Sequence, residues 1–290
     1  MALDRLPTPV VTTQWLAAHL GEPGLVLIDA SWYLAAMQRD ARAEYLADHI
    51  PGAVYWDLDV LSDQHTPLPH MLPDAESLAQ AIGGLGIGDG DRVVVYDGSG
   101  VNLSAPRVWW TLKLAGHDAV AVLDGGLGRW RAAGHPLEAG MVVRAPARFT
   151  LHLRPELVRN QAELQGNLAS RSWQVLDARS RGRFEGSEPE PRPGLRGGHI
   201  PGARSLPYTE LVAGDGTLLP AEQLRGRFVA AGIDLSRPVV TSCGSGVTAC
   251  ALALGLELLG ASAYSVYDGS WSEWGREGGP PIEQGAAANP

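Results

Sequence analysis

The segment RPVVTSCGSGVTACALALGLELLG (237–260) has the pattern of a strand, a loop and a helix in direct succession. The β-branched run before Cys243 is typical of a buried strand, and the Gly-Ser-Gly sequence after it predicts a turn. The Ala- and Leu-rich stretch from about Thr248 predicts a buried helix. A strand that passes directly into a helix is the repeating unit of α/β proteins, in which helices cover a parallel sheet.

Four segments of the first half recur in the second half in the same order, at offsets of roughly 150 residues. The pairs are LIDAS (27–31) with LDARS (176–180), DHIPGA (48–53) with GHIPGA (198–203), VVVYDGSG (93–100) with VVTSCGSG (239–246), and LDGGLGRW (123–130) with YDGSWSEW (267–274). Repeats this far apart indicate a duplicated domain rather than a solenoid. We therefore predict an α/β protein with two tandem domains, each a parallel sheet flanked by helices.

The domain boundaries follow from this duplication. The 290 residues are enough for two domains, each with its own core. We assign the first domain to residues 1–140 and the second to residues 161–277. A linker at 141–160 would join them, and the Gly-, Ala- and Pro-rich residues 278–290 would form a flexible tail.

Composition excludes several classes of protein. The chain has 23 basic and 32 acidic side chains, a formal charge of −9 and no basic cluster, so nucleic-acid binding is not expected. No apolar run reaches the ~18–20 residues of a membrane span, and the N-terminal residues lack the layout of a signal or transit peptide. The two cysteines offer neither a disulfide framework nor the spacing of a metal site. The expected location is the reducing cytoplasm.

Cys243 is the candidate nucleophile. It ends a predicted buried strand, where ligand sites of α/β sheets lie, and precedes a loop whose backbone N–H groups can form an anion-binding nest. The following helix N-terminus adds positive partial charge, and both effects favour the nucleophilic thiolate. The alternative is that Cys243 is only a small buried apolar residue. Cys250, inside the apolar helix, is predicted to pack in the core.

The duplication supplies an internal control for these assignments. Asp97 replaces Cys243 in the first copy, although the surrounding sequence is retained. Residues that occur in both copies are therefore better explained by folding than by cysteine chemistry; these are the pairs His49/His199 and Asp124/Asp268. Features found in one copy only are the functional candidates.

Several motifs together carry a family resemblance. CGSGVTAC (243–250), the two HIPGA segments, SAPRVWW (104–110), PHMLP (69–73) and GRFEGSEPEPR (182–192) resemble the tandem-rhodanese sulfurtransferases, and among them those that use 3-mercaptopyruvate. The resemblance implies an enzyme in which Cys243 attacks the sulfur of 3-mercaptopyruvate, releases pyruvate and carries a persulfide. A thiol acceptor such as thioredoxin, or cyanide, would then remove the outer sulfur. No cofactor, metal or membrane partner is implied.

The resemblance also assigns roles around the cysteine. The loop would hold the persulfide through its backbone N–H groups, at Gly244, Gly246, Val247 and Thr248. Ser245 would join Asp59 and His70 in a relay resembling that of serine hydrolases, in which His70 handles the proton that the pyruvate enol requires. From the residues alone, a His between a Pro and a predicted helix is equally well a capping or surface residue.

Two arginines are assigned to the substrate carboxylate. The resemblance points to Arg183 and Arg192, and a planar guanidinium can bind both carboxylate oxygens. From the residues alone, they could instead pair with neighbouring acidic residues on a solvated loop; these are Glu185, Glu188 and Glu190. Arg192 has a counterpart in the first copy, Arg42, whereas Arg183 has none.

Three alternatives remain open. Thiosulfate sulfurtransferases share the scaffold but carry cationic residues directly after the cysteine, where this chain has Gly244 and Ser245. That difference favours 3-mercaptopyruvate as the donor. Rhodanese-like phosphatases need an arginine six positions after the cysteine, where this chain has Ala249. A non-catalytic sulfur-binding module fits only the first copy, which lacks the cysteine.

Overall fold

The computed structural model describes Leu6 and residues 9–261 and 263–287. The chain divides into two compact units. Unit N comprises residues 1–64, 72–154 and 212–218, and unit C comprises residues 65–71, 155–211 and 219–290. Each unit therefore contains one short segment from the opposite half of the sequence.

Unit N is built on a parallel five-stranded sheet with the order β1-β5-β4-β2-β3. Central strand β4 (Arg92–Tyr96) is buried along its whole length, as expected for a sheet covered on both faces. The other strands are β1 (Val10–Val11), β2 (Leu25–Asp29), β3 (Ala53–Tyr55) and β5 (Val120–Leu123). The helices are α1 (Thr13–His19), α2 (Ala41–Ala47), α3 (Ala75–Gly84), α4 (Ala105–Leu114) and α5 (Gly126–Ala132).

Unit C repeats this topology, with the strand order β6-β10-β9-β7-β8, all parallel. The strands are β6 (Val158–Arg159), β7 (Gln174–Asp177), β8 (Arg204–Ser205), β9 (Val239–Ser242) and β10 (Tyr264–Tyr267). The helices are α6 (Gln161–Ser170), α7 (Arg181–Glu185), α8 (Ala221–Ala230), α9 (Ala249–Leu258) and α10 (Ser270–Trp274). The prediction of two α/β domains with parallel sheets is confirmed.

Local sequence explains where these elements begin. Asp74 precedes α3, and its side chain accepts the N–H of Ser77, a first-turn donor that would otherwise lack a partner. Helix α6 begins with a capping box between Asn160 and Glu163. Helix α9 is buried on almost all sides, which accounts for its run of Ala and Leu.

The structure refines the predicted linker and corrects the predicted tail. Residues 158–159 of the linker form edge strand β6, which pairs with β10. In the tail, Ile282 and Ala287 pack against the core of unit C, and the indole N–H of Trp274 donates to the carbonyl of Pro281 at 2.9 Å. Residues 278–287 therefore pack on unit C, with Ile282 and Ala287 partly buried, instead of lying free as predicted; residues 288–290 lie outside the described residues.

Each of the two HIPGA histidines contacts backbone and glutamate groups of its own unit. His49 contacts the carbonyl of Tyr45 through Nδ1 (2.7 Å) and the carboxylate of Glu138 through Nε2 (3.2 Å). His199 forms a matching backbone bridge with Glu283, whose carboxylate is 3.7 Å from Nε2. Equivalent contacts in a unit with the cysteine and one without it support the folding role predicted for this pair. They also extend the internal repeat into the tail, since Glu283 takes the place of Glu138.

Candidate active site

Cys243 lies where β9 ends, in a loop of residues 243–248 that leads into α9; we call this the cysteine loop. Its side chain is buried, at 1% exposure. Within the described residues, no group accepts the backbone N–H of Gly244, Ser245, Val247 or Thr248. Buried N–H groups are paired in more than about 90% of cases, because an unpaired one costs free energy. Two of these four donors belong to buried residues, Ser245 and Val247, so the loop offers unpaired N–H groups to an anion beside the buried sulfur.

The start of α10 holds the carbonyl side of this loop. The N–H of Cys243 donates to Ser270 Oγ (3.1 Å), and its carbonyl accepts the N–H of Trp271 (3.0 Å). The carbonyl of Gly244 accepts both the N–H and the hydroxyl of Ser272, at 2.8 and 2.6 Å.

These contacts were not predicted from the sequence, although a signal was present. Aligning YDGSWSEW with LDGGLGRW places Gly126 opposite Ser270 and Gly128 opposite Ser272. The two hydroxyls thus occur only in the copy with the cysteine. Ser270 also has a left-handed backbone (φ 47°), as does Gly126 (φ 53°), so a strained serine is kept where glycine fits more easily.

Cys250 is fully buried in α9, as predicted. Its thiol donates to the carbonyl of Gly246 at 3.2 Å, which ties the first turn of the helix to the loop. Gly246 has a φ of 75°, in the left-handed region that favours glycine.

The structure brings both predicted arginines to the cysteine loop. A Cβ atom built on Gly244 would lie 3.0 Å from Nη2 of Arg183 and 3.8 Å from Nη1 of Arg192. Two guanidinium groups therefore lie next to the residue that follows Cys243. A side chain at 244 would force the nearer guanidinium to shift, and the two groups supply positive charge beside the residue that follows Cys243.

Arg183 is held by a buried acidic residue. Its Nη2 is 2.6 Å from Oε2 of Glu190, whose side chain is 2% exposed, and Arg179 contacts the other oxygen at 2.7 Å. Arg179 also pairs with Asp177 at 2.7 Å. Burial alone would lower the pKa of Arg179, but the two carboxylates raise it. The alternative that Arg183 pairs with a local glutamate is thus correct for Glu190, although Glu190 is buried rather than solvated. The contact of Arg179 with Glu190 was not predicted.

His70 lies in unit C, on the short segment from the first half of the sequence. Its Nδ1 is 2.9 Å from Oγ of Ser245, and the imidazole is 6% exposed. The backbone of His70 is left-handed, with a φ of 60°, which is uncommon outside glycine. The alternative of a surface histidine is therefore wrong, because the ring is buried against the cysteine loop.

Asp59, the third member of the predicted relay, belongs to unit N. There the indole N–H of Trp32 donates to both of its carboxylate oxygens, at 3.2 and 3.1 Å. Its part in the relay stays a prediction.

An open cavity of about 530 Å³ lies in unit C beside the arginine-bearing loop. Its lining includes Pro69, next to His70, as well as Arg192, Ser272 and Arg276. A second cavity of about 550 Å³ shares Arg276 with the first. In the described part of the chain, no three or more His, Cys, Asp or Glu side chains are grouped to hold a metal ion, and no helix is long and apolar enough to cross a membrane.

Comparison with known proteins places this site in a family. The model of the rhodanese-like domain matches the chain twice, at residues 12–133 and 160–277. The 3-mercaptopyruvate sulfurtransferase of Homo sapiens is 46% identical over 280 residues, which cover 94% of each chain. The mitochondrial thiosulfate/3-mercaptopyruvate sulfurtransferase 1 of Arabidopsis thaliana is 45% identical over 95% of this chain and 78% of its own length.

The solved structures lead to the same family. The crystal structure of SseA from Escherichia coli, described as a 3-mercaptopyruvate sulfotransferase with the rhodanese fold, superposes with a TM-score of 0.83. The two share 39% sequence identity over 92% of this chain and 100% of that one. The matches cover both halves of the chain, including the cysteine loop and both arginines. The chain therefore belongs to the rhodanese family of sulfurtransferases, and its two halves are tandem rhodanese-like domains.

Proposed function

We propose that the protein transfers sulfur from 3-mercaptopyruvate to a thiol acceptor through a persulfide on Cys243. The unpaired N–H groups of the cysteine loop carry this proposal. A persulfide is an anion with its charge on the outer sulfur, and donors aimed at a developing charge stabilise the state in which that charge forms. The adjoining helix N-terminus adds to this stabilisation.

The first half-reaction would break the bond between carbon and sulfur in the donor. The thiolate of Cys243 attacks the sulfur of 3-mercaptopyruvate, so that a sulfur–sulfur bond forms while the carbon–sulfur bond breaks. The electron pair of that bond remains on carbon as the enolate of pyruvate, which takes up a proton to give pyruvate. In the second half-reaction an acceptor thiolate attacks the outer sulfur, and Cys243 leaves as a thiolate.

Substrate orientation is assigned to Arg183 and Arg192. Both guanidinium groups lie close to Gly244, at the distances given above for a Cβ atom at that position. A carboxylate bound between them would present the rest of the small donor to the neighbouring sulfur. The bidentate geometry of arginine suits this task better than the point charge of lysine.

The proton for the enolate is assigned to the pair of His70 and Ser245. The hydroxyl of Ser245 lies within the cysteine loop and contacts Nδ1 of His70 at 2.9 Å. This contact allows a proton to pass from the imidazole through the hydroxyl towards the reacting carbon.

Thiosulfate is the competing donor, because the name of the Arabidopsis relative includes both thiosulfate and 3-mercaptopyruvate. Gly244 favours the carboxylate-bearing donor: a cationic side chain there would displace or repel the arginines beside it. Acceptors with free thiols, thioredoxin among them, are proposed for the second half-reaction. A purely sulfur-binding role is disfavoured by the His70–Ser245 contact, which binding alone does not require.

Two measurements test the proposal. After incubation with 3-mercaptopyruvate, intact-mass spectrometry should detect one added sulfur on the wild type and none on Cys243→Ser, with pyruvate released in equal amount. Steady-state kinetics should give a much higher kcat/KM for 3-mercaptopyruvate than for thiosulfate.

The arginine assignment has a matched control within α7. Arg183→Ala should reduce kcat/KM for 3-mercaptopyruvate by about tenfold or more, while Arg181→Ala, two residues away and paired with Glu210, should have little effect. An unmodified Cys243, or a preference for thiosulfate, would contradict the persulfide or the donor assignment respectively.

A further inference from the structure

The carbonyl of Gly244 has an unusual pair of donors. The backbone N–H and the hydroxyl of the same residue, Ser272, both donate to it, at 2.8 and 2.6 Å. Ser272 is 4% exposed, so water competes little for these bonds. The carbonyl is therefore held firmly on the α10 side of the loop.

Holding this carbonyl also sets the direction of the next N–H group. The peptide bond is planar, and none of the described residues has a cis peptide, so the N–H of Ser245 points away from the Gly244 carbonyl. Fixing the carbonyl towards Ser272 therefore turns the N–H of Ser245 to the opposite side. The same reasoning applies one residue earlier, where Trp271 holds the carbonyl of Cys243. Contacts with α10 therefore set the direction of two of the four unpaired donors, the N–H groups of Gly244 and Ser245.

The loop needs this restraint because of its glycine. A Cβ atom at Gly244 would lie 3.0 Å from Nη2 of Arg183, so a larger residue there would force the guanidinium to shift. Glycine has the widest choice of backbone angles, and rotation of the Gly244–Ser245 peptide is correspondingly easy. Such a rotation would take the N–H of Ser245 away from the site of the developing charge.

The duplicated domain shows that the hydroxyl is not needed for the fold. The position of Ser272 is occupied by Gly128 in unit N, which has the same strand order. The counterpart of Gly244 is Gly98, whose carbonyl accepts a single bond, from Nη1 of Arg39 at 3.1 Å. The doubly held carbonyl is thus confined to the unit with the cysteine.

We propose that Ser272 is a positioning residue for sulfur transfer: its hydroxyl fixes the Gly244–Ser245 peptide so that the N–H of Ser245 faces the sulfur. The proposal rests on the persulfide chemistry proposed above and deepens it. Ser272 does not touch the reacting atoms in this account, and its effect reaches them through the peptide group.

The experiment compares Ser272→Ala and Ser272→Gly with the wild type in single-turnover formation of the Cys243 persulfide. Both variants should slow it about three- to tenfold, as expected for one lost hydrogen bond. The loss should be similar with 3-mercaptopyruvate and thiosulfate, because the loop and not the arginine pair is changed. KM for 3-mercaptopyruvate should stay within about twofold, and the acid limb of the pH profile of kcat/KM should move to higher pH.

Two further variants complete the design. Ser272→Thr, which retains a hydroxyl, should restore the acid limb. Gly128→Ser introduces the hydroxyl at the matching position of unit N, where a Cβ meets no atom within 4 Å, and should leave the kinetics unchanged.

The outcomes separate the two proposals. A wild type that gains no sulfur would refute the persulfide function itself. If the wild type forms the persulfide and Ser272→Ala and Ser272→Gly lower only the melting temperature, with rate and acid limb unchanged, the positioning role is refuted. A threonine variant that folds but does not restore the acid limb would also refute it.

Discussion

The two copies of the loop between strand and helix use the same backbone donors in opposite ways. In unit N, the carboxylate of Asp97 accepts the N–H groups of Ser99 (2.9 Å), Ser104 (3.0 Å) and Ala105 (2.9 Å). In unit C, Cys243 stands in its place, and among the described residues no group accepts the N–H of Gly244, Ser245, Val247 or Thr248. The unit N loop carries its own carboxylate, whereas we propose that the anion of the cysteine loop arrives with the substrate.

The difference explains how a duplicated fold can hold a single reactive centre. Both loops are held from the same side, since Leu127 donates to the carbonyl of Asp97 (3.1 Å) as Trp271 does to that of Cys243 (3.0 Å). The unit N loop is two residues longer, because α4 begins at Ala105 and α9 at Ala249. The extra length allows the Asp97 carboxylate to reach the start of its helix. The carboxylate of Asp97 thereby stabilises unit N through N–H groups whose counterparts in unit C we propose to act in sulfur transfer.

The most severe test places the unit N residue in the cysteine loop. Cys243→Asp should abolish sulfur transfer, because the nucleophile is gone and a fixed carboxylate occupies the anion site. The same variant should be more stable than Cys243→Ala, since its carboxylate can accept the loop N–H groups that alanine leaves unpaired. Activity with 3-mercaptopyruvate and thermal melting of both variants provide the measurement. A Cys243→Asp protein less stable than Cys243→Ala would contradict the idea that the loop is a general anion site.

The reciprocal test removes the built-in anion from unit N. Asp97→Ala should lower the free energy of unfolding by about 3 kcal/mol, because several buried donors lose their acceptor at once. Asp97→Asn, which keeps one oxygen acceptor, should lose about half as much. Urea unfolding followed by tryptophan fluorescence measures both. Equal losses of unfolding free energy for the two variants would contradict this prediction, because they would mean that the hydrogen bonds accepted by the Asp97 oxygens are not the cause.

Much of this comparison could be predicted from the sequence. The duplication, the parallel α/β fold and the replacement of Cys243 by Asp97 are visible because short motifs recur in order, and parallel strands buried on both faces read as apolar runs. His70 and Ser245 were paired by family resemblance, and the structure places their side chains in contact.

The remainder depends on contacts between residues distant in sequence. Glu190 was considered only as a solvated partner, because its burial between Arg179 and Arg183 depends on how the loop after α7 folds. The tail was misjudged because its composition is typical of mobile segments, while the repeat of Glu138 at Glu283 consists of a single residue. Ser270 and Ser272 were missed, although comparing the two copies position by position would have revealed them.

A smaller effect is expected where β2 and β7 end. Asp177 faces the cation of Arg179 at 2.7 Å. The residue that corresponds to Arg179 in unit N is Ser31, and among the described residues no cation pairs with the buried Asp29. Burial raises the pKa of Asp29 to about 6, from an ordinary value of 3.8. Asp29 therefore holds its proton more tightly in the folded state, and its contribution to stability is full below about pH 4 and is lost as the pH rises through 6.

Asp29→Asn should remove the loss of stability that accompanies ionisation of Asp29 above about pH 4. The variant should gain stability relative to the wild type between pH 4 and pH 7, by about 1–2 kcal/mol out of the roughly 3 kcal/mol that the full shift would give. Urea unfolding at the two pH values measures the gain. The matched variant Asp177→Asn should be destabilised at both, since it leaves Arg179 with one carboxylate fewer. A gain for Asp29→Asn that is equal at both pH values would show that its ionisation is not the cause.

The smallest expected effect concerns Gly244, the glycine that follows Cys243. Gly244→Ala would place a methyl group 3.0 Å from Nη2 of Arg183, so the guanidinium must shift. We expect kcat/KM for 3-mercaptopyruvate to fall about tenfold through KM, as for about 1.4 kcal/mol of lost binding, and activity with thiosulfate to fall less because that donor has no carboxylate. Gly226→Ala in α8, where a Cβ meets no atom within 4 Å, is the control and should be kinetically silent. Equal losses with both donors would mean that the methyl group disturbs the loop N–H groups rather than the arginine pair, and carboxylate recognition would then have to be sought elsewhere along the cavity that contains Arg192 and Arg276.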